Sequence, residues 1–254
     1  MFKNKKVIVF DMDGTLIDSV GIWNEIDLKL INKLGNKERI TGSDVQKQRD
    51  EILTKYSKIE NPYTEYFNLL GKRYCSNLNG EEILKLRYEI AQNYLESVID
   101  YKPNAEKLIK KLKEKGYILG IASTTRKNNM NIYRTLNKNI IEKANLDEYF
   151  SFIYTREDAK EIKPNPEIYL RILKEQNILK SECLIFEDSL IGVEAAKNAG
   201  IDCIAVYDKY SDADREKINE LSDYQIEDYL QVIEELKRKW KYRSVKCEVR
   251  GVNN

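Results

Sequence analysis

The sequence predicts an α/β protein: a doubly wound parallel sheet that carries an inserted α-helical module. Three observations predict it. Short runs such as VIVF (7–10) and CLIF (183–186) are apolar on both faces rather than alternating, as strands between two helical layers are. From residue 103 onward such runs alternate with amphipathic helical stretches, the rhythm of parallel strands joined by crossover helices. Between the first run and the first crossover helix lie about ninety residues with helical patterns and no convincing strand.

In chain order, the first strand is 7–10. Helices are expected over roughly 20–34, 43–57, 62–76 and 80–98. The first crossover helix, 104–115, is framed by Pro103 and Gly116, residues that favour a start and a stop. Further strands are expected at 117–122 (YILGIA), 152–154 (FIY), 183–186 and 203–206 (CIAV). Helices over 166–176 and 189–199 fill the later connections, the second ending at Gly200, a natural C-terminal stop. The expected division is a core of 1–18 and 100–240, a helical module of 19–99, and a tail, 241–254, with no assigned place.

Composition narrows the class. Among 254 residues there is no histidine, so acid–base chemistry near neutrality falls to other groups. The 43 basic and 42 acidic residues leave a net charge of +1, which argues against a globally basic nucleic-acid binder and a strongly acidic disordered chain. The start, MFKNKKVIVFD, has only four apolar residues before an aspartate, where a secretory signal needs about 7–15. No run approaches the ~18 residues of a membrane span, and the expected location is cytoplasmic. Cys75, Cys183, Cys203 and Cys247 form no CxxC pair and have no histidine to share a zinc ion; they are expected to be small, reduced residues, two of them in apolar runs. Lys237–Arg243 (KRKWKYR) interleaves aromatics with positive charge, a pattern that can bind nucleic acid or an anionic membrane. It also suits the solvated end of a last helix, and that reading is preferred, so neither partner is expected.

The chemistry gathers where strands end. In a doubly wound sheet, ligands bind beyond the carboxyl ends of the strands. Asp11 follows the first strand directly, and Asp13, two residues on, points the same way along an extended chain. Gly14 permits a tight turn after them. Adjacent carboxylates repel unless a cation lies between them, and Mg²⁺, with its preference for oxygen ligands and phosphate, is the natural one. A second acidic pair, Glu187-Asp188, ends the 183–186 strand; Asp188-Ser189 would also serve as a helix N-cap. Ser123, Thr124 and Thr125 follow the 117–122 strand where a helix N-terminus can bind phosphate, or where they would merely cap it. Lys163, just before Pro164 and the proline-started helix, is placed to neutralise a phosphoryl oxygen or a nucleophile.

Asp11-Met12-Asp13-Gly14-Thr15, Ser123, Lys163-Pro164 and Glu187-Asp188 stand in the order and approximate spacing of the four motifs of the haloacid dehalogenase superfamily, which the chain resembles over about residues 5–235. Within it, the chain is most similar to the branch of β-phosphoglucomutases and small sugar-phosphate phosphatases. The resemblance implies a Rossmann-like core with a helical cap and a Mg²⁺-dependent phosphatase. Asp11 would be the nucleophile and Asp13 the general acid–base. Ser123 and Thr124 would hold the phosphoryl group and Lys163 would neutralise it. Asp11, the Asp13 main-chain oxygen, Glu187 and Asp188 would hold the metal. A small phosphorylated metabolite is the expected partner.

The departures matter as well. β-Phosphoglucomutases carry a histidine on the first cap segment where this chain has Trp23. The phosphatase reading is therefore preferred to a phosphomutase. Trp23 either fills the cap core or lines the entrance to the site. Lys47, Arg49, Lys72 and Arg73 join it as candidate rim residues, with ordinary surface or core the preferred reading of each. Residues 127–147 are longer than the corresponding link of the superfamily and rich in Asn, and would reshape one rim. A phosphorylated signalling receiver shares aspartates, a hydroxyl residue and a lysine, but the DxD spacing and the long insertion speak against it.

Overall fold

The computed structural model describes residues 1–56, 59 and 62–237. Six strands form one parallel sheet: β1 (Val7–Phe10), β2 (Ile118–Ala122), β3 (Phe152–Tyr154), β4 (Cys183–Glu187), β5 (Asp202–Val206) and β6 (Tyr224–Ile226), in the order β3-β2-β1-β4-β5-β6. The order reverses beside β1, so a crevice opens between the ends of β1 and β4. All five expected strands are present. The sixth, a three-residue edge strand, is too short and too polar to stand out in the sequence.

Behind β1 come α1 (Val20–Lys33), α2 (Gly42–Lys55), α3 (Pro62–Arg73) and α4 (Gly80–Asn93), the last continuing into a π-helical turn over Tyr94–Val98. Asn79 starts α4 with a capping box, its side chain accepting from the Glu82 amide while the Glu82 carboxylate accepts from the Asn79 amide. The chain then forms α5 (Ala105–Glu114), α6 (Lys127–Thr135), α7 (Lys138–Ala144), α8 (Leu146–Tyr149), α9 (Glu167–Glu175), α10 (Leu190–Ala199) and α11 (Arg215–Leu221). A last helix occupies 229–237. Residues 238–254, with Cys247 and most of the basic run, lie outside the described residues. No helix among the described residues is long and apolar enough to cross a membrane.

Alternation within the apolar strands explains the two-sided core. Ile8, Phe10, Ile121, Phe186 and Ile204 face one cluster, while Val7, Val9, Ile185, Cys203 and Ala205 face the other. Each fully buried Val, Ile or Phe side chain among them contributes about 1.5–3 kcal/mol. Residues 127–147 fold as α6, α7 and the start of α8, and add Met130, Tyr133, Ile140 and Leu146 to the first cluster. Asn137 ties them down, donating to the carbonyls of Leu95 at 2.6 Å and Ile99 at 3.0 Å.

The inserted helices have an apolar cluster of their own, including Leu30, Ile31, Tyr66, Phe67, Leu70 and Ile83. Their two connections to the sheet run side by side: the Asp18 amide donates to Asp100 O at 2.9 Å and the Lys102 amide to Leu16 O at 2.8 Å. Beside the apolar cluster is a buried ion triad. Asp27, fully buried, accepts from Arg49 at 2.6 Å and from Arg87 at 2.5 Å. Arg49 is therefore a structural residue of this module and not part of a rim, whereas Lys47, Lys72 and Arg73 are exposed.

Burial alone would raise the Asp27 carboxyl, but Arg87 and Arg49 outweigh it and hold it below the usual range. Asp27→Ala removes the carboxylate shared by two buried guanidinium groups, leaving Arg49 with Asn24 and a more distant Asp50, and is expected to cost about 3–5 kcal/mol in urea unfolding at pH 7. The depressed folded value makes this contribution present above about pH 4 and lost as pH falls through it. The difference between wild type and variant should accordingly shrink in acid.

Candidate active site

Strand register assembles the site. Phe10 pairs with Ile121 on one side and Phe186 on the other, their rings stacking at 4.6 Å in the second case. The residues that follow, Asp11, Ala122-Ser123 and Glu187-Asp188, therefore leave the sheet together. The Asp11 amide still donates to Phe186 O at 3.0 Å. The turn after Asp13 requires Gly14, whose φ is +82° and where a Cβ would lie 2.3 Å from Asp188 Oδ2.

Lys163 reaches the centre of this group. Its ammonium donates to Asp11 Oδ1 at 2.6 Å, Glu187 Oε1 at 2.5 Å and Ala122 O at 2.9 Å, and it is buried. The Lys163–Pro164 peptide is cis. Tyr169 donates its hydroxyl to Glu187 Oε1 at 2.7 Å, and Thr15 donates to Asp188 Oδ1 at 2.7 Å. The N-cap of α10 is Ser189, accepting from the Gly192 amide at 3.2 Å, so Asp188 is left to the site. Neither Ser123 nor Thr124 is an N-cap either: α6 begins after Arg126, and the Ser123 hydroxyl accepts from the Thr125 amide at 3.1 Å. Ser123, Thr124 and Lys163 line one small cleft with Thr155 and Arg156.

The acidic cluster fits a divalent cation. Carboxylate oxygens of Asp11, Glu187 and Asp188 lie within 4.8 Å of one another, all three residues buried. The donor set is oxygen only, which suits a hard metal. Among the described residues, one ammonium, that of Lys163, enters the cluster. Burial pushes the Asp11 carboxyl up to about 7 against the pull of Lys163. Burial, reinforced by Glu187 and Asp11, also pushes Asp188 up. Burial would lower Lys163, but Asp11 and Glu187 outweigh it and keep its ammonium charged. The group as built is short of positive charge.

The Asp13 side chain stands outside this cluster of three carboxylates, and the metal role expected of Asp13 is that of its main-chain oxygen. Its Oδ1 accepts from the Ser19 hydroxyl at 2.5 Å and from Trp23 Nε1 at 3.2 Å, and its Oδ2 accepts from the Thr125 hydroxyl. Trp23 thus faces the site rather than only filling the cap core. Sequence reading missed Ser19, Arg87 and Tyr133, and gave Thr125 to phosphate or a cap rather than to Asp13. The Arg87 guanidinium lies 4.3 Å from the centre of the Trp23 ring. The buried Tyr133 phenol is raised by burial and by the nearby Asp13 carboxylate. Thr125 had a signal, the third hydroxyl of Ser123-Thr124-Thr125; Arg87 and Tyr133, distant in sequence, had none.

With this geometry in place, the comparisons with known proteins are unambiguous. The family model for haloacid dehalogenase-like hydrolases matches residues 8–206, and the chain belongs to that family. YhcW of Bacillus subtilis (strain 168), whose name proposes a phosphatase, is 29% identical over 80% of this chain and 84% of its own. The phosphorylated carbohydrates phosphatase of Thermotoga maritima is 25% identical over 78% of this chain and 83% of its own. Among solved structures, CbbY from Rhodobacter sphaeroides in complex with phosphate superposes with a TM-score of 0.66 at 24% identity, over 89% of this chain and 95% of that one. The family, its phosphatase-named relatives and the paired aspartates make the chain a phosphoric monoester hydrolase.

Proposed function

We propose that the protein hydrolyses a small phosphate monoester, a sugar phosphate or related metabolite, through an aspartyl-phosphate and with Mg²⁺. The observation that carries this is the separation of two neighbouring carboxylates into different environments. Asp11 sits in the acidic cluster against Lys163, whereas Asp13 is held apart by Ser19, Trp23 and Thr125. Carboxylates so divided take different roles.

Asp11 attacks phosphorus as the bond to the alcohol oxygen breaks, and Asp13 gives its proton to that oxygen. Asp13 then takes a proton from the water that attacks the aspartyl-phosphate, and phosphate leaves as Asp11 is restored. Ser123, Thr124 and Lys163 hold the phosphoryl group. Asp11, Glu187, Asp188 and the Asp13 main-chain oxygen would hold Mg²⁺, which when bound supplies positive charge to the phosphoryl oxygens. The helical module, residues 19–99, closes over the core and excludes water during the first step. The cytoplasm is the proposed location, where the buried Cys183 and Cys203, both free thiols, stay reduced.

The test is phosphate release from a panel of sugar phosphates, nucleotides and p-nitrophenyl phosphate, with Mg²⁺ and with EDTA. EDTA is expected to lower the rate roughly a hundredfold or more, with recovery on adding Mg²⁺. Metal-independent release would remove Mg²⁺ from the proposal. Conversion of β-glucose 1-phosphate to the 6-phosphate without release would replace the phosphatase by a mutase.

A further inference from the structure

We propose that Trp23 is a positioning residue for the proton-transfer step: its indole N–H, held in place by Arg87, aims the Asp13 carboxyl at the leaving oxygen. The proposal rests on the reading that Asp13 transfers that proton.

Asp13 is gripped from two sides. Thr125, at the end of β2, donates to Oδ2, while Ser19 and Trp23, at the start of the helical module, both donate to Oδ1, at 2.5 and 3.2 Å. Hydroxyl donors rotate, so Ser19 and Thr125 alone leave the carboxyl several orientations. An indole fixes its single N–H by the plane of the ring. It has no acceptor and does not titrate, so Trp23 can hold the carboxyl without competing for its proton.

The ring itself is held. Arg87, on α4, lies over the Trp23 face at 4.3 Å, an attractive contact for an indole. Arg87 cannot drift, because Nε donates to Asp27 Oδ1 at 2.5 Å and Nη2 to Oδ2 at 3.1 Å. Trp23 and Asp27 are four residues apart on α1 and share one face of it. Asp27, Arg87, Trp23 and Asp13 therefore form one continuous chain of contacts from the interior of the helical module to the acid. A ring serving only as apolar filler would need neither the N–H bond to a carboxylate nor a buried guanidinium on its face. In consequence, moving α1 away from the sheet withdraws both Ser19 and Trp23 from Asp13, and the acid is fully aimed only while the module is closed.

A leaving-group comparison tests this. Nitrophenolate departs from p-nitrophenyl phosphate with little need of a proton, whereas a sugar alkoxide must be protonated. The two substrates are p-nitrophenyl phosphate and whichever sugar phosphate the wild-type enzyme hydrolyses best, and Asp13→Asn is the reference variant. Trp23→Phe keeps an aromatic face for Arg87, on a smaller ring, but loses the N–H. Its kcat on the sugar phosphate is expected to fall on the order of tenfold, with the aryl ester affected at least fivefold less and KM little changed. Arg87→Lys keeps a cation beside Asp27 but loses the guanidinium plane, and should show the same selectivity in weaker form. Equal loss on both esters with Trp23→Phe, or none on either, overturns the proposal. If Asp13→Asn itself shows no such selectivity, the assignment of Asp13 fails instead. Selectivity in Trp23→Phe without any in Arg87→Lys removes Arg87 from the chain.

Discussion

Asp11→Asn protein is expected to lose phosphate release by about four orders of magnitude or more, the scale on which removal of a covalent nucleophile is felt. An amide of nearly the same size occupies the same place, but its oxygen is a poor nucleophile and it cannot form the aspartyl-phosphate. The loss should be chemical and not structural. Asp11 is buried with Glu187 and Asp188 as neighbours, and burial already raises its carboxyl to about 7. A neutral side chain there relieves like-charge crowding, and Lys163 keeps Glu187 as its partner at 2.5 Å. The melting temperature of the metal-free variant is therefore expected to equal or exceed that of wild type. Phosphate release by quenched single turnover, beside a thermal melt in EDTA, checks both halves. A variant retaining a tenth of wild-type activity would remove Asp11 from the nucleophile role. A melting temperature lowered by many degrees would show that the loss of activity is a folding defect.

How far the sequence announced this site depends on what kind of interaction makes each part. The strands of the core were legible because burial on both faces leaves an unbroken apolar run, and Val7–Phe10 begins and ends where that run does. Asp11 and Glu187 were legible because a charge at the end of such a run contradicts its surroundings, and Lys163 by its place before Pro164; the three converge within hydrogen-bonding distance. The four inserted helices follow their periodicity to within a few residues, α3 ending early at Arg73. Residues 127–147 were opaque: three short helices rich in Asn are built by packing on the first apolar cluster and by Asn137 reaching two carbonyls about forty residues back, which no local pattern encodes. Arg49 was open between rim, surface and core because an arginine on a helix is usually solvated, and its burial is explained by Asp27 and Asn24, one helix away. Trp23 was ambiguous since its ring serves apolar neighbours while its N–H serves a carboxylate.

Lys163→Met should have the next largest effect, and it separates what the ammonium does for chemistry from what it does for folding. Lys163 is the ammonium inside a group of three buried carboxylates, bonding Asp11 at 2.6 Å and Glu187 at 2.5 Å. Methionine fills much the same volume without charge or donor. With the metal present, the rate is expected to fall about 10²–10³-fold, the range for losing one preorganised electrostatic contact to a developing charge. Stability in EDTA reports the other role. The folded Asp11 carboxyl stands raised from 3.8 to about 7 by burial, so between those values the folded protein binds more protons than the unfolded chain, and stability falls as pH rises through that window. Without the ammonium the carboxyl is raised further, and the fall should steepen and extend to higher pH. Urea midpoints in EDTA at pH 5 and pH 8 are thus expected to lie close together for wild type and variant at the lower pH and well apart at the higher. Added Mg²⁺ would narrow the gap by supplying the charge that Lys163 no longer gives. Identical midpoints at both values would mean that the carboxylates are not held by Lys163, and the electrostatic account of the site would fall with them.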